Sequence, residues 1–229
     1  MSLKDYRQAK IINEGSSSTI IKAADRNGNI VAIKQIDKYF ENEITSELRA
    51  MDRLKHPNII KCLMAFIDDE NVYLVFKYVS DFNLWMYNNI YRDSLDEQKI
   101  KYIIRQIATG LAHCHANMIA HRDIKLENVC IVPETLLIKI IDFGSSYAFD
   151  DMDDRFLADC CGTHGYFAPE VLYTSNGICR LSKAYTGVMY GLNKEHYDTL
   201  VADVWSFGVL SYILAYNRRP TTHSYDEII

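Results

Sequence analysis

Apolar and polar positions alternate with a period near two through the first eighty residues, the spacing of half-buried strands. Residues 10–13, 20–24 and 30–36 read as three strands in this way. The second and third are separated by "DRNGN", in which Asn27-Gly28 is a strong hairpin signal. Over 42–55 the period lengthens, and Ile44, Leu48, Met51 and Leu54 fall on one helical stripe. "HPN" closes that helix, because the residue before a proline avoids helical angles. Two further strands are predicted at about 60–67 and 71–79, joined by the polar turn "DDEN".

Beyond residue 90 the helical period dominates. "SLDEQKIKYIIRQIATGLAHCH" places Ile100, Ile103, Ile104, Ile107 and Leu111 on one face and predicts a helix of about 20 residues. Ser94 and Glu97 have capping-box spacing at its start. Short strands at 129–132 and 137–141 flank the charged stretch "HRDIKLENV", and "DVWSFGVLSYILAY" at 203–216 is apolar on most sides, as a buried helix is. A strand-rich front and a helix-rich back predict an α+β chain in two lobes, an antiparallel sheet over about 1–78 and a helical part over about 84–229, with a linker near 77–83. No internal repeat or low-complexity tract interrupts the pattern.

Composition narrows the classes of function. With 229 residues, 48% of them hydrophobic and 24% charged, the chain has a globular make-up. A net charge of -5 with scattered lysines and arginines argues against nucleic acid and anionic membranes as partners. No apolar run approaches the roughly 18 residues of a spanning helix, and "MSLKDYRQAK" lacks the apolar core of a secretory signal, so an intracellular, cytoplasmic or nuclear, location is expected. The six cysteines form no CxxC pair and are expected as thiols. His113, Cys114 and His115 are adjacent on a helix and point apart, which argues against a metal site there.

Several segments carry candidate chemistry. Asp142 in "IDFGSSY" follows an apolar strand and could hold a hard cation, with Asn128 supplying a neutral oxygen. Lys34 ends the apolar stretch "AIK" and needs an anion if half-buried; Glu47 on the next helix suits, with Glu43 as a competitor. "INEGSSST" is a small-residue turn between strands that can bring backbone N–H groups to a phosphate.

In their order and context these segments resemble the eukaryotic protein kinases of the serine/threonine type. The matches are AIK at 32–34, HRDIKLEN at 121–128, DFG at 142–144, GTHGYFAPE at 162–170 and DVWSFG at 203–208. The resemblance runs from about residue 6 to 220 and implies the bilobal kinase fold, ATP and Mg2+ as cofactors, and protein substrates bearing Ser or Thr. By the same resemblance Lys34 holds nucleotide phosphates and Glu47, nine residues before His56, orients it. Asp142 and Asn128 are the implied metal ligands, Asp123 the base for the substrate hydroxyl, and Lys125 the cation on the transferring group. Adenine is expected between the lobes, under Ile12, Gly15, Ile20 and Ala32, beside Phe76, and paired with the backbone of Lys77 and Val79. "KLEN" and Thr163 fit the Ser/Thr class, with Thr163 on Asp123 and Lys125, and "KLEN" weakly favours the calcium/calmodulin-dependent group.

Five departures from the family pattern stand out. The GxGxxG positions fall on Asn13, Gly15 and Ser18, which implies weaker clamping of phosphate. No hydroxyl residue lies between Phe149 and Cys161; Asp159 stands at the usual phosphorylation position, where Arg122 would hold its charge, with a merely solvated acidic loop as the alternative. Asn83 replaces a glutamate that reads an upstream arginine, although Glu127 is kept. About 15 extra residues precede DVWSFG, within "TSNGICRLSKAYTGVMYGLNKEHYD". The helical lobe is short at Ile229, the usual arginine partner of Glu170 is not among the residues present, and apolar helix faces left exposed would suit a covering partner. The leading expectation is an active kinase. A nucleotide-binding, pseudokinase-like scaffold and a small-molecule kinase are the alternatives.

Overall fold

The computed structural model of the protein describes residues 2–172 and 196–220. Its first third carries a five-stranded antiparallel sheet of order β1-β2-β3-β5-β4, built from β1 (Arg7–Glu14), β2 (Ser18–Ala24), β3 (Ile30–Asp37), β4 (Cys62–Ile67) and β5 (Asn71–Lys77). The β2–β3 hairpin turns where Asn27-Gly28 predicts it. The Asp25 carboxylate accepts the backbone N–H groups of Asn27 and Asn29, both at 2.8 Å, and Gly28 has φ +84°, a conformation glycine adopts without a Cβ penalty.

Alternation along β3 divides its neighbours between two cores. Val31 and Ile33 pack with Ile21, Ala23, Tyr73 and Val75 on the outer face. Ala32, Lys34 and Ile36 point the other way, toward α1 (Glu41–Arg53) and the main core. On α1 the inward stripe is Ile44, Glu47 and Ala50; Leu48, expected on that stripe, is exposed because the helix is rotated to aim Glu47 at β3.

Residues 78–83 lead from β5 into α2 (Leu84–Ile90), a short helix that sequence periodicity does not reveal. Next comes α3 (Glu97–Ala116), which buries Ile103, Ile107 and Leu111. The expected capping box is corrected: Asp96 caps α3, accepting from Lys99 N at 2.8 Å. Ser94 instead donates to Tyr91 O and Glu97 pairs with Lys101, because a 3-10 turn at Arg92–Ser94 carries the chain into the helix two residues later than that pattern requires.

Three small antiparallel pairs shape the remainder: β6 (Ile119–Ala120) with β9 (Tyr147–Ala148), β7 (Val129–Val132) with β8 (Leu137–Ile140), and β10 (Phe156–Leu157) with β11 (Tyr197–Asp198). A short α4 (Pro169–Leu172) ends the first described stretch, and α5 (Thr199–Tyr216) is the last element among the described residues. By length and composition α5 could cross a membrane, yet it buries Ala202, Asp203, Val209, Leu210, Ile213 and Leu214 within the protein. Its other side leaves Val201, Val204 and Tyr216 exposed among the described residues. Cys62, Cys114, Cys130 and Cys161 are free thiols, and burial pushes the Cys130 thiol up to about 11. Cys114 is buried, while His115 bonds Asp203 and His113 meets Lys55 N, so the three side chains of that run diverge. Cys179, most of the extra segment before DVWSFG, and the residues after Pro220 lie outside the described residues.

Candidate active site

Lys34 reaches the cleft because β3 alternates. Its ammonium lies 2.6 Å from Glu47 Oε2 and 2.8 Å from Asp142 Oδ1. The Lys34 and Glu47 side chains are 6% and 1% exposed, whereas Asp142 is 47% exposed. Burial works to lower Lys34, but the two carboxylates outweigh it and hold the ammonium above the usual lysine range. Complete burial pushes Glu47 up against the pull of Lys34. Enclosure also works to raise Asp142, yet the charge and hydrogen bond of Lys34 hold it below the usual carboxylate range. One cation between two carboxylates leaves a surplus of negative charge, and the open side of that surplus is Asp142. Glu43, the competitor for Lys34, instead accepts from Ser17 Oγ.

The charged turn between β6 and β7 assembles the second half of the site. Thr163 Oγ1 donates to Asp123 Oδ1 at 2.7 Å, and Lys125 Nζ lies 2.8 Å from Asp123 Oδ2 while donating to Thr163 Oγ1 at 2.7 Å. Asn128 Nδ2 donates to both Asp123 O and Asp123 Oδ2, each at 2.9 Å, which leaves its Oδ1 as the oxygen for a cation. Asn128 O accepts from Ile141 N at 2.9 Å, so the backbone beside Asn128 is fixed to the backbone beside Asp142. Hard oxygen donors on two joined segments, next to unbalanced negative charge, fit Mg2+.

Sequence reasoning quoted "DVWSFG" without giving Asp203 a role, and the structure supplies one. Asp203 is 1% exposed and accepts from His121 N, Arg122 N and His115 Nε2 at 2.7–2.9 Å. These bonds hold Arg122 at φ +66°, which is uncommon for a residue with a long side chain. His121 Nδ1 accepts from Asp123 N, leaving its Nε2–H for Ile141 O at 3.1 Å, and its ring meets Phe143 at 4.7 Å between centroids. Asp142 is also at positive φ, +64°. Asp203 carries no local signal beyond its motif, because its partners lie more than eighty residues earlier.

The remaining expected positions are distributed around this centre. Ile20 pairs in register with Lys34, and Ala32 with Phe76. Phe76 is buried, Ala32 and Val79 pack partly against the main core, Lys77 ends β5 exposed, Ile12 is exposed on β1, and Gly15 N bonds Ser18 O across the β1–β2 turn. At the rim, Arg122 Nη2 meets Asp159 Oδ2 at 2.5 Å. Gly162, at φ +115°, passes so near Arg122 O that a Cβ would lie 2.5 Å from it. Asn83 accepts from Met86 N and caps α2.

A family model described as "Protein kinase domain" matches residues 6–229. The human NUAK family SNF1-like kinase 2 is 33% identical over 221 residues, 94% of this chain and 31% of the relative. Mitosis inducer protein kinase cdr1 of Schizosaccharomyces pombe is 33% identical over 216 residues, 94% and 32% of the two chains. Serine/threonine-protein kinase PLK4 of Drosophila melanogaster is 31% identical over 227 residues, 96% and 26%. The chain therefore spans about a third of the length of the curated relatives it matches. With its family model matched over residues 6–229, and with the Asp123–Lys125–Asn128 group joined through Asn128 O and Ile141 N to the segment that carries Asp142, the chain belongs to the protein kinase domain family.

Proposed function

We propose that this domain transfers the terminal phosphoryl group of ATP to serine and threonine hydroxyls of proteins, with Mg2+. The observation that carries the reading is the closed set of contacts among Asp123, Lys125, Thr163 and Asn128 beside Asp142. Asp123 accepts the proton of the incoming hydroxyl and aims its oxygen. Lys125 neutralises charge on the phosphoryl oxygens, and Lys34, oriented by Glu47, holds the inner phosphates. Asp142 and Asn128 hold Mg2+, which supplies charge neutralisation at the phosphate oxygens. Ile12, Gly15, Ile20, Ala32 and Phe76 enclose the nucleotide, and the backbone of Lys77 and Val79 meets the adenine edge. The lobes join near 77–83, and the working compartment is intracellular.

Two further side chains bear on substrate choice and on activation. Asn83 is committed to capping α2, so a strict need for an upstream arginine is not expected, and a positional peptide scan checks it. Asp159 gives Arg122 a fixed negative charge in place of a phosphate on this segment.

A second reading, a nucleotide-binding scaffold with little transfer, is favoured by the loss of two glycines at Asn13 and Ser18; its output would be a protein bound over Val201, Val204 and Tyr216. Radiolabel transfer from ATP to a generic protein substrate separates the two. Asp123→Asn is expected to lower transfer by about 10²–10⁴-fold while nucleotide-dependent thermal stabilisation persists. Stabilisation of the wild-type chain without any transfer would establish the scaffold.

A further inference from the structure

The turn that faces the phosphate site has kept one glycine of the family's three, at Gly15, and reads Gly15-Ser16-Ser17-Ser18. Its backbone closes through Gly15 N to Ser18 O at 2.8 Å. A side-chain bond then ties it to a distant element: Ser17 Oγ donates to Glu43 Oε2 at 2.7 Å, from the β1–β2 turn to the first turn of α1. Both residues are half-buried. Glu43 is not a bystander to the cleft. The position a Cβ on Gly144 would take lies 3.7 Å from Glu43 Oε2 and 3.4 Å from both Lys34 Nζ and Asp142 Oδ1. The carboxylate that anchors the turn therefore borders the ammonium and the carboxylate assigned above to phosphate and metal.

Resting on the kinase reading of that site, we propose that Ser17 and Glu43 form a clamp that positions the phosphate-facing turn for ATP, replacing by a side-chain tether what the missing glycines supply elsewhere by close backbone approach. The chemistry favours this arrangement. A turn carrying side chains at every position after Gly15 cannot settle on a phosphate as closely as glycine backbone does. Fixing its tip to a helix lowers the ordering cost of binding instead. An ionised acceptor makes the bond stronger than one between neutral groups. Ser17 and Glu43 are positioning residues and touch no reacting atom in this account.

The test has two readouts. In the nucleotide-free protein, hydrogen exchange across residues 15–18 is expected to quicken several-fold in both Ser17→Ala and Glu43→Ala. In steady-state kinetics both variants should raise the KM for ATP by about 3- to 10-fold, with kcat and the KM for protein substrate little changed. The double variant should be no worse than either single one, because one bond is being removed. Ser17→Thr, which keeps the hydroxyl, should retain most of the wild-type affinity, and Glu43→Gln, which keeps an acceptor oxygen without its charge, should fall between wild type and Glu43→Ala. Unchanged exchange in either alanine variant, additive losses, or faster exchange with an unchanged KM for ATP each overturns the clamp. A wild-type chain that binds no ATP defeats the kinase reading first, before any variant is made, and removes the clamp's role toward nucleotide with it.

Discussion

Lys34 and Arg122 are both cations enclosed by the protein, with side chains 6% and 9% exposed, yet they are paired in opposite ways. Lys34 has two carboxylate partners, and one of them, Glu47, is 1% exposed. Arg122 has Asp159, which is 59% exposed, and its Nε is buried without a hydrogen-bond partner. The interior centre cannot lose a partner without stranding charge away from water, whereas the rim pair can exchange its carboxylate for solvent. The difference teaches that burial of the anion, more than the short distance common to both pairs, decides how strongly each one constrains the molecule.

Removing Glu47 puts the greatest stress on that contrast. Glu47→Ala strips Lys34 of its buried partner and leaves it to Asp142 alone. Transfer is expected to fall by about 100-fold or more as Lys34 leaves its working position. Stability should fall by at most ~3–5 kcal/mol, since Asp142 still compensates part of the charge. Single-turnover kinetics and thermal melting read the two effects. A near-neutral result on both would place Glu47 with ordinary core residues.

At the rim the effect should be smaller. An ion pair with an exposed partner contributes roughly 0–1 kcal/mol, so Asp159→Ala should leave the melting temperature within error and lower turnover by about 2- to 5-fold. Added salt should shrink the difference between variant and wild type, because the pair is open to screening. Identical turnover would mean that Asp159 belongs to a solvated acidic loop; a loss as large as that of Glu47→Ala would erase the distinction between the two centres.

The smallest effect is the share of the pH dependence that the interior centre contributes. Asp142 is held below its ordinary value, so its contribution to stability is present above the unfolded carboxylate pKa and is lost as pH falls through the lower folded value, below about pH 4. Glu47 is raised, so its sign is opposite: its contribution is present below the unfolded value and declines as pH rises through the folded one. Denaturant unfolding of wild type and Asp142→Asn from about pH 3 to pH 7 should therefore converge at the acid end. A gap that widens on acidification would reverse the assigned direction for Asp142.

Local pattern made much of this chain legible. The strands β2 to β5 and the helix α3 follow from periods of two and of 3.6, the hairpin at Asn27-Gly28 from its turn residues, and the buried helix α5 from being apolar on most sides. Lys34, Asp123, Asn128 and Asp142 could be named because each lies in a short motif, and Glu47 by its spacing from His56. What escaped were features that depend on a neighbour far along the chain. Asp203 looks like any acidic residue near the start of an apolar helix until His121 and Arg122 are laid against it. The choice of Asp96 over Ser94 as the cap depended on where the preceding 3-10 turn released the chain. Leu48 left the predicted stripe because α1 is turned to deliver Glu47 to Lys34.

By itself, the order of residues determined where β2 to β5, α1, α3 and α5 form and which side chains are candidates for phosphate, metal and proton chemistry, since periodicity and functional groups are local properties. Tertiary structure alone decided that Glu43 holds Ser17 and that Asp203 gathers the backbone of His121 and Arg122, and it closed the expected contacts of Glu47 with Lys34 and of Asp159 with Arg122. Such choices turn on a few ångströms of separation between elements, and that separation is set by how the sheet and helices pack against one another.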